Sequence, residues 1–151
     1  MEKSMKEVEV IRMAKDEEGV IKLVFGIDNK YCDSSVADVL HEKIGIPKNV
    51  AKRLVKETLN RITEEFKEDN RVKVFQYQFV IWVKKDVDGK EIDGRELKEL
   101  IKRVTNIAGQ EIFRMIKKAR KIREKQDITS WLYEFAKIDI KDDKVIVKQI
   151  L

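Results

Sequence analysis

The sequence predicts an α+β fold, with β-hairpins near both ends and a central strand forming an antiparallel sheet, packed by a helical pair and one long basic helix. Three observations carry this. Short β-branched runs with alternating apolar residues lie near both termini. Between them, apolar residues recur every three or four positions in separate helical stretches. Val72 to Val83 is apolar on both of its alternating faces over much of its length. The order is ββααβα(α)ββ, and the chain of 151 residues, 42% apolar, reads as one domain with a sizeable core.

Val8 and Val10, then Val20 to Phe25, flank a polar tip of Lys15, Asp16, Glu17, Glu18 and Gly19 and read as a hairpin. Gly26 to Tyr31 is a loop. Asp33, Ser34 and Ser35 offer N-cap oxygens to a short helix carrying Val36, Val39, Leu40 and Ile44, and Gly45 ends it where the backbone must turn left-handed. Pro47 suits the first turn of the next helix, because the N–H it lacks would be unpaired there. That helix buries Val50, Ala51, Leu54, Val55, Thr58, Leu59, Ile62 and Phe66 and ends near Asp69 and Asn70. Val72 to Val83 follows as a central strand covered on both sides.

Leu97, Ile101, Val104, Ala108, Ile112, Met115, Ala119 and Ile122 hold helical phase across Gly109. They predict one continuous helix from about Gly94 to Lys125, roughly 45 Å long. Asp127 to Ala136 is a short helical or irregular piece with Trp131, Leu132 and Phe135 in the core. Ile138 and Ile140, a turn at Asp142 and Asp143, and Val145 to Ile150 form the closing hairpin.

The long helix also gathers the charge. Between Arg114 and Lys125 stand Arg114, Lys117, Lys118, Arg120, Lys121, Arg123 and Lys125, opposed only by Glu124, so this segment carries +6 while the whole chain carries +5. Arg103, Gln110, Arg114, Lys121 and Lys125 fall together on the side away from the apolar stripe, with Asn106, Lys117 and Lys118 flanking them. A concentrated cationic strip raises the local concentration of polyanions, and nucleic acid is the expected partner, DNA ahead of RNA. A solvated outer face is the plain alternative.

Charged residues make up 40% of the chain, dominated by Lys and Glu, the bias of proteins from hot environments. The charged N-terminus and the lack of an apolar run near eighteen residues predict neither signal peptide nor membrane span, and a cytoplasmic protein. One cysteine, Cys32, and one histidine, His41, cannot assemble a zinc-type ligand set, so Cys32 reads as a small apolar filler and His41 as a surface or partly packed residue. Asp86 to Glu96 is similar to a calcium loop, but it is one residue short and Lys90 stands where an oxygen ligand belongs, which favours a strand-to-helix turn. Neither a Gly-rich phosphate loop nor HExxH is present, so no enzyme activity, cofactor or metal is expected.

From Ser34, the run VADVLHEKIGIPKNVAKRLVKETLNRITEEFKEDNRVKVF resembles the opening of the HU/IHF family of DNA-binding proteins: a short helix, Glu42-Lys43 and Gly45, a second helix with Ile62 to Glu64, then a polar turn and a strand. The resemblance spans residues 34–83, about a third of the chain. It implies a dimer-forming helical pair near DNA. The family's β-arm with an Arg-x-Asn-Pro tip is missing, and Gln76, Tyr77 and Gln78 stand where the family has Gly-Phe-Gly. The same helix-Gly-helix pattern also fits a helix-turn-helix with Lys48, Asn49, Lys52, Arg53 and Lys56 toward a groove, or two packed helices with no DNA role. The expectation is a homodimeric, non-enzymatic protein that binds double-stranded DNA through phosphates. The rival is a structural or regulatory module whose basic helix meets an acidic protein.

Overall fold

A computed structural model of the chain describes the backbone of residues 10–17, 19–141 and 144–149 and the side chains of residues 14–17 and 19–125. It is an α+β arrangement in which helices pack on one face of an antiparallel sheet.

β1 (Val10–Glu17) and β2 (Val20–Ile27) pair down to Glu17 opposite Val20, so Lys15, Asp16 and Glu17 belong to the ladder rather than to a polar tip. Ladder bonds use the backbone and tolerate charged side chains at an exposed hairpin end. The charges there are matched. Glu17 accepts from Lys22 at 2.8 Å and lies 3.5 Å from Lys15, and the Lys22 hydrogen bond holds its carboxyl below the usual range. Asp16 pairs with Lys85. β2 runs through Gly26 and Ile27, where a loop is expected, and closes in a two-residue turn. Asp28 (φ 48) and Asn29 (φ 67) are both left-handed, and Ile27 and Lys30 exchange N–H donors at 3.0 and 2.9 Å.

Helix α1 (Asp33–Val39) has Cys32, not Asp33 or a serine, at its N-cap, with no side-chain cap. The Asp33 carboxylate accepts instead from the Ser34 N–H at 2.6 Å, because Asp33 already lies inside the first turn. One π-helical turn, Leu40–Ile44, follows, and Gly45 at φ 86 ends it, donating to the Leu40 and His41 carbonyls. Helix α2 (Lys48–Phe66) starts one residue after Pro47, which occupies the N-cap, and buries Ala51, Leu54, Val55, Thr58, Leu59, Ile62 and Phe66 as the spacing predicts, while Val50, expected with them, is half-buried at the edge of the core.

The largest departure is Val72 to Val83, which is a hairpin and not one strand. β3 (Val72–Val74) and β4 (Val80–Lys84) pair antiparallel, Val72 opposite Val83 and Val74 opposite Ile81, and residues 75–79 make the turn. The sheet order is β1-β2-β4-β3. Its register gathers Leu23, Phe25, Ile81, Val83, Val72 and Val74 on one face, under the helices, and Lys22, Lys73 and Trp82 on the other. Among the described residues, cover on both sides is therefore not observed. Trp82 stays half-buried, with the Phe75 ring at 4.8 Å and the Lys22 and Lys73 ammoniums 4.9 and 5.9 Å from its centroid.

β5 (Asp86–Val87) and β6 (Lys90–Glu91) make a miniature hairpin around Asp88 (φ 53) and Gly89 (φ 78), within the expected strand-to-helix turn. Helix α3 (Gly94–Phe135) is unbroken at Gly109 and extends beyond Lys125 through most of the expected separate piece, about 63 Å in all. β7 (Ala136–Lys141) and β8 (Lys144–Gln149) form the closing hairpin, but as a two-stranded sheet of their own. Alternation predicts strands and cannot tell which sheet they join. Val8, Asp142, Asp143, Ile150 and the side chains of Trp131, Leu132 and Phe135 lie outside the described residues.

A clasp joins the α2–β3 turn to the first turn of α3. Arg71 donates to both Asp69 oxygens at 2.9 and 2.8 Å and to Glu96 at 2.9 Å. These bonds hold the Asp69 carboxyl below the ordinary carboxylate range and Arg71 above its own. Asp69 therefore contributes stability that is present above its unfolded pKa of about 3.9 and is lost as pH falls through the lower folded value. Asp69→Asn should cost about 1–2 kcal/mol near neutral pH, and urea denaturation near pH 3 should find the gap to wild type narrowed. An equal gap at both pH values would show that the charge is irrelevant there.

Two glycines predict opposite signs. A methyl at Gly26 would overlap the Lys30 carbonyl oxygen and lie 2.7 Å from Tyr31 Cδ1, so Gly26→Ala should destabilise by about 1–3 kcal/mol. At Gly109 nothing lies within 4 Å, and Gly109→Ala should stabilise the helix by about 1 kcal/mol. Thermal unfolding of the two variants should move in opposite directions.

Candidate nucleic-acid interface

Because α3 buries Val104, Ala108, Ile112, Met115 and Ala119, the residues half a turn away are forced into solvent. Arg103, Arg114, Lys117, Lys118, Lys121 and Lys125 are all exposed. Gln110, Phe113, Arg114, Lys117, Lys118 and Lys121 line one shallow depression of about 470 Å³. Two expected members turn elsewhere. Arg120 is half-buried, and Arg123, also half-buried, lies against Gly45, its Nε 3.5 Å from where a Cβ would stand. Their angular positions adjoin the apolar stripe, so they serve the packing of α3 more than its outer strip.

Carboxylates touch the strip at its flank. Lys118 donates to Glu57 of α2 at 3.3 Å, and Arg114 lies 3.6 Å from Glu111. Lys121 makes no ion pair among the described residues. Arg103, further along the helix, places its guanidinium 5.3 Å from the Phe66 ring centroid, and the Lys117 ammonium lies 5.4 Å from that of Phe113. Since Glu57 reaches α3, the row that it shares at four-residue spacing with Arg53 and Arg61 lies on the α3 flank of α2, and both arginines are exposed.

The opposite flank of α2 carries Lys48, Lys52, Lys56 and Asn60. Lys48 pairs with Asp38 at 3.4 Å. Lys52, Lys56 and Asn60 form one wall of a cleft of about 410 Å³, with Val55 and Leu59 at its base and Asp33, Ser34, Gln76 and Tyr77 opposite. The helix-turn-helix set is thus split: Lys52 and Lys56 face this cleft, Arg53 faces α3, and Asn49 is exposed. The apolar residues of the helical pair, Val36, Leu40, Ala51, Leu54, Val55 and Ile62 among them, are consumed inside the chain.

Phe113, Tyr77, Asn60, Gln76 and Arg61 are not in the set read from the sequence. Phe113 gives a readable signal, since it follows Ile112 and falls outside the three-and-four spacing of the stripe. Tyr77 gives none, because it fits the alternation of the expected strand. His41 donates from Nδ1 to the Ile46 carbonyl at 2.8 Å, and Cys32 bridges through its backbone to Gln78. Among the described residues no group of three or more His, Cys, Asp or Glu is placed to hold a metal ion, and no helix is long and apolar enough to cross a membrane. No protein-family model, curated protein or solved structure matches this chain.

Proposed function

We propose that this chain is a non-enzymatic nucleic-acid-binding protein that grips phosphates along α3. The observation that carries the reading is the basic depression of Arg114, Lys117, Lys118 and Lys121, set on a single rigid helix with Arg53 and Arg61 on the flank of α2 beside it. Cations fixed on one helix meet successive phosphates without ordering a loop first, and the counterions they displace drive association. The reading has the protein at work in the cytoplasm, and its Lys- and Glu-rich composition supports a hot habitat. A homodimer belongs to it as well. β1 is an edge strand, and a second copy would cover that edge. Light scattering should then give twice the 17.8 kDa of one chain, and a monomer mass across micromolar concentrations would remove the dimer from the proposal.

A second reading has one observation in its favour. Phe113, 53% exposed amid the cations, is the kind of apolar anchor that an acidic protein partner would bury. No shift of DNA or RNA at low salt, together with salt-sensitive capture of an acidic protein that Phe113→Ala weakens, would favour it.

Binding to duplex DNA should weaken with salt at a log–log slope of about −3 to −5 if four or five phosphates are contacted. Replacing Arg114, Lys118 and Lys121 together by Gln should reduce affinity for all sequences alike and make that slope shallower by about two or three units, with each exposed change moving stability by no more than about 0.5 kcal/mol. Fluorescence anisotropy at two salt concentrations reads this, and unchanged binding in the triple variant would reduce the strip to a solvated face. Glu57→Gln should do the reverse and tighten binding, because it frees Lys118 from its carboxylate.

A further inference from the structure

Tyr77 and Phe113 are the large apolar side chains that the described residues leave exposed, at 77% and 53%, and each stands in one of the two basic depressions. Tyr77 is held out by design of the backbone around it. The Asp33 N–H donates to the Tyr77 carbonyl at 3.2 Å, Cys32 bridges to Gln78, and the Phe79 N–H donates to the Tyr31 carbonyl at 2.9 Å. The turn from β3 to β4 is thereby pinned to the start of α1, and the ring projects from a fixed base beside Lys52 and Lys56.

We infer that the ligand is single-stranded, with unpaired bases stacking on Phe113 and Tyr77 while the neighbouring lysines meet its phosphates; this rests on the nucleic-acid reading above and narrows it. Phosphates alone call only for cations, and a duplex hides the faces of its bases inside the stack. An exposed ring beside lysines is the combination that an unpaired base and its phosphate require together. The cleft also holds what a base edge would use. Asn60, Gln76 and Ser34 offer donors and acceptors, and the Asp33 carboxylate stands opposite the two ammoniums, so the site is acceptor-rich at one end and cationic at the other. A nucleotide unit has the matching polarity, amino and imino donors on its base and negative charge on its phosphate. α2 lies between the two depressions. A strand joining them crosses its N-terminal half, where Lys52, Arg53 and Lys56 are exposed and Glu57 is already held by Lys118, because the exposed Glu65 repels phosphate further along.

The test is anisotropy on the full chain with a labelled oligonucleotide of about twelve nucleotides, offered as single-stranded DNA, as RNA of the same sequence and as a DNA duplex. Single strands should bind about tenfold more tightly than the duplex, and the DNA and RNA arms separate the two sources of unpaired bases. Tyr77→Ala and Phe113→Ala should each weaken single-strand binding about five- to a hundredfold while duplex binding and thermal unfolding stay as in wild type, and Tyr77→Phe should keep full affinity. Equal affinity for strand and duplex, indifferent to both alanine variants, overturns the stacking inference and leaves the phosphate reading standing. Failure of the wild-type chain to bind any of the three at low salt overturns both.

Discussion

Val104, Ala108, Ile112, Met115 and Ala119 are each 2% exposed or less, and the packing around them is arranged so that this holds. α3 meets α2, the π turn and the first two strands of the sheet, and this stripe, with Leu100 and Ile116 beside it, is the part of the helix buried there. The small side chains of Ala108 and Ala119 keep bulk out of that contact, and the larger ones fill what remains. Complete burial of an aliphatic side chain contributes about 1.5–3 kcal/mol, against roughly 0–1 for an exposed ion pair such as Lys118 with Glu57. The stripe therefore decides how the helix is rotated. The charges take the orientation that it leaves them, and the basic strip is a by-product of burial that function can use.

The helices were legible in the sequence for this reason. Each buries a stripe at helical spacing, and the centres of the α2 and α3 stripes fall on the residues the spacing names, across Gly109 included, while Val50, Leu97, Ile101 and Ile122 are only partly buried and Leu100 and Ile116 join the core unnamed. The sheet was less legible. Two short antiparallel strands joined by a tight turn keep the alternation of one long strand, so Val72 to Val83 reads the same either way, and Gln76, Tyr77 and Gln78 look like strand residues. That ambiguity hid half of the candidate site, since Tyr77 was spent on a strand face when its place is the rim of a cleft. Which sheet the closing hairpin joins depends on long-range pairing that no local pattern encodes.

The basic surface shows the same division. The strip on α3 could be drawn on a helical wheel, and most of its members are exposed where the wheel puts them. Arg120 and Arg123 could not be separated from the rest by charge alone, because their distance from the stripe sets their burial. Arg61 sits among glutamates in the sequence and joins the strip only through the approach of α2 to α3 at Glu57. Local period fixes which way a side chain points, and tertiary packing fixes what it points at.

The strand order β1-β2-β4-β3 has a kinetic meaning. The sheet is two local hairpins, β1 with β2 and β3 with β4, joined by a single non-local seam in which Val24 meets Val80 and Leu23 meets Ile81 across the whole helical pair. Hairpins close in about 1–10 μs, whereas a seam between distant segments must first overcome the entropy of the loop between them. α1 and α2 are that loop, and by collapsing into helices they shorten the span the seam has to cross. The meeting of β2 and β4 is then the longest-range pairing the sheet has to make, and the cations of the depression on α3 stand outside that seam, whereas Gln76 and Tyr77 sit in the turn that leads into it.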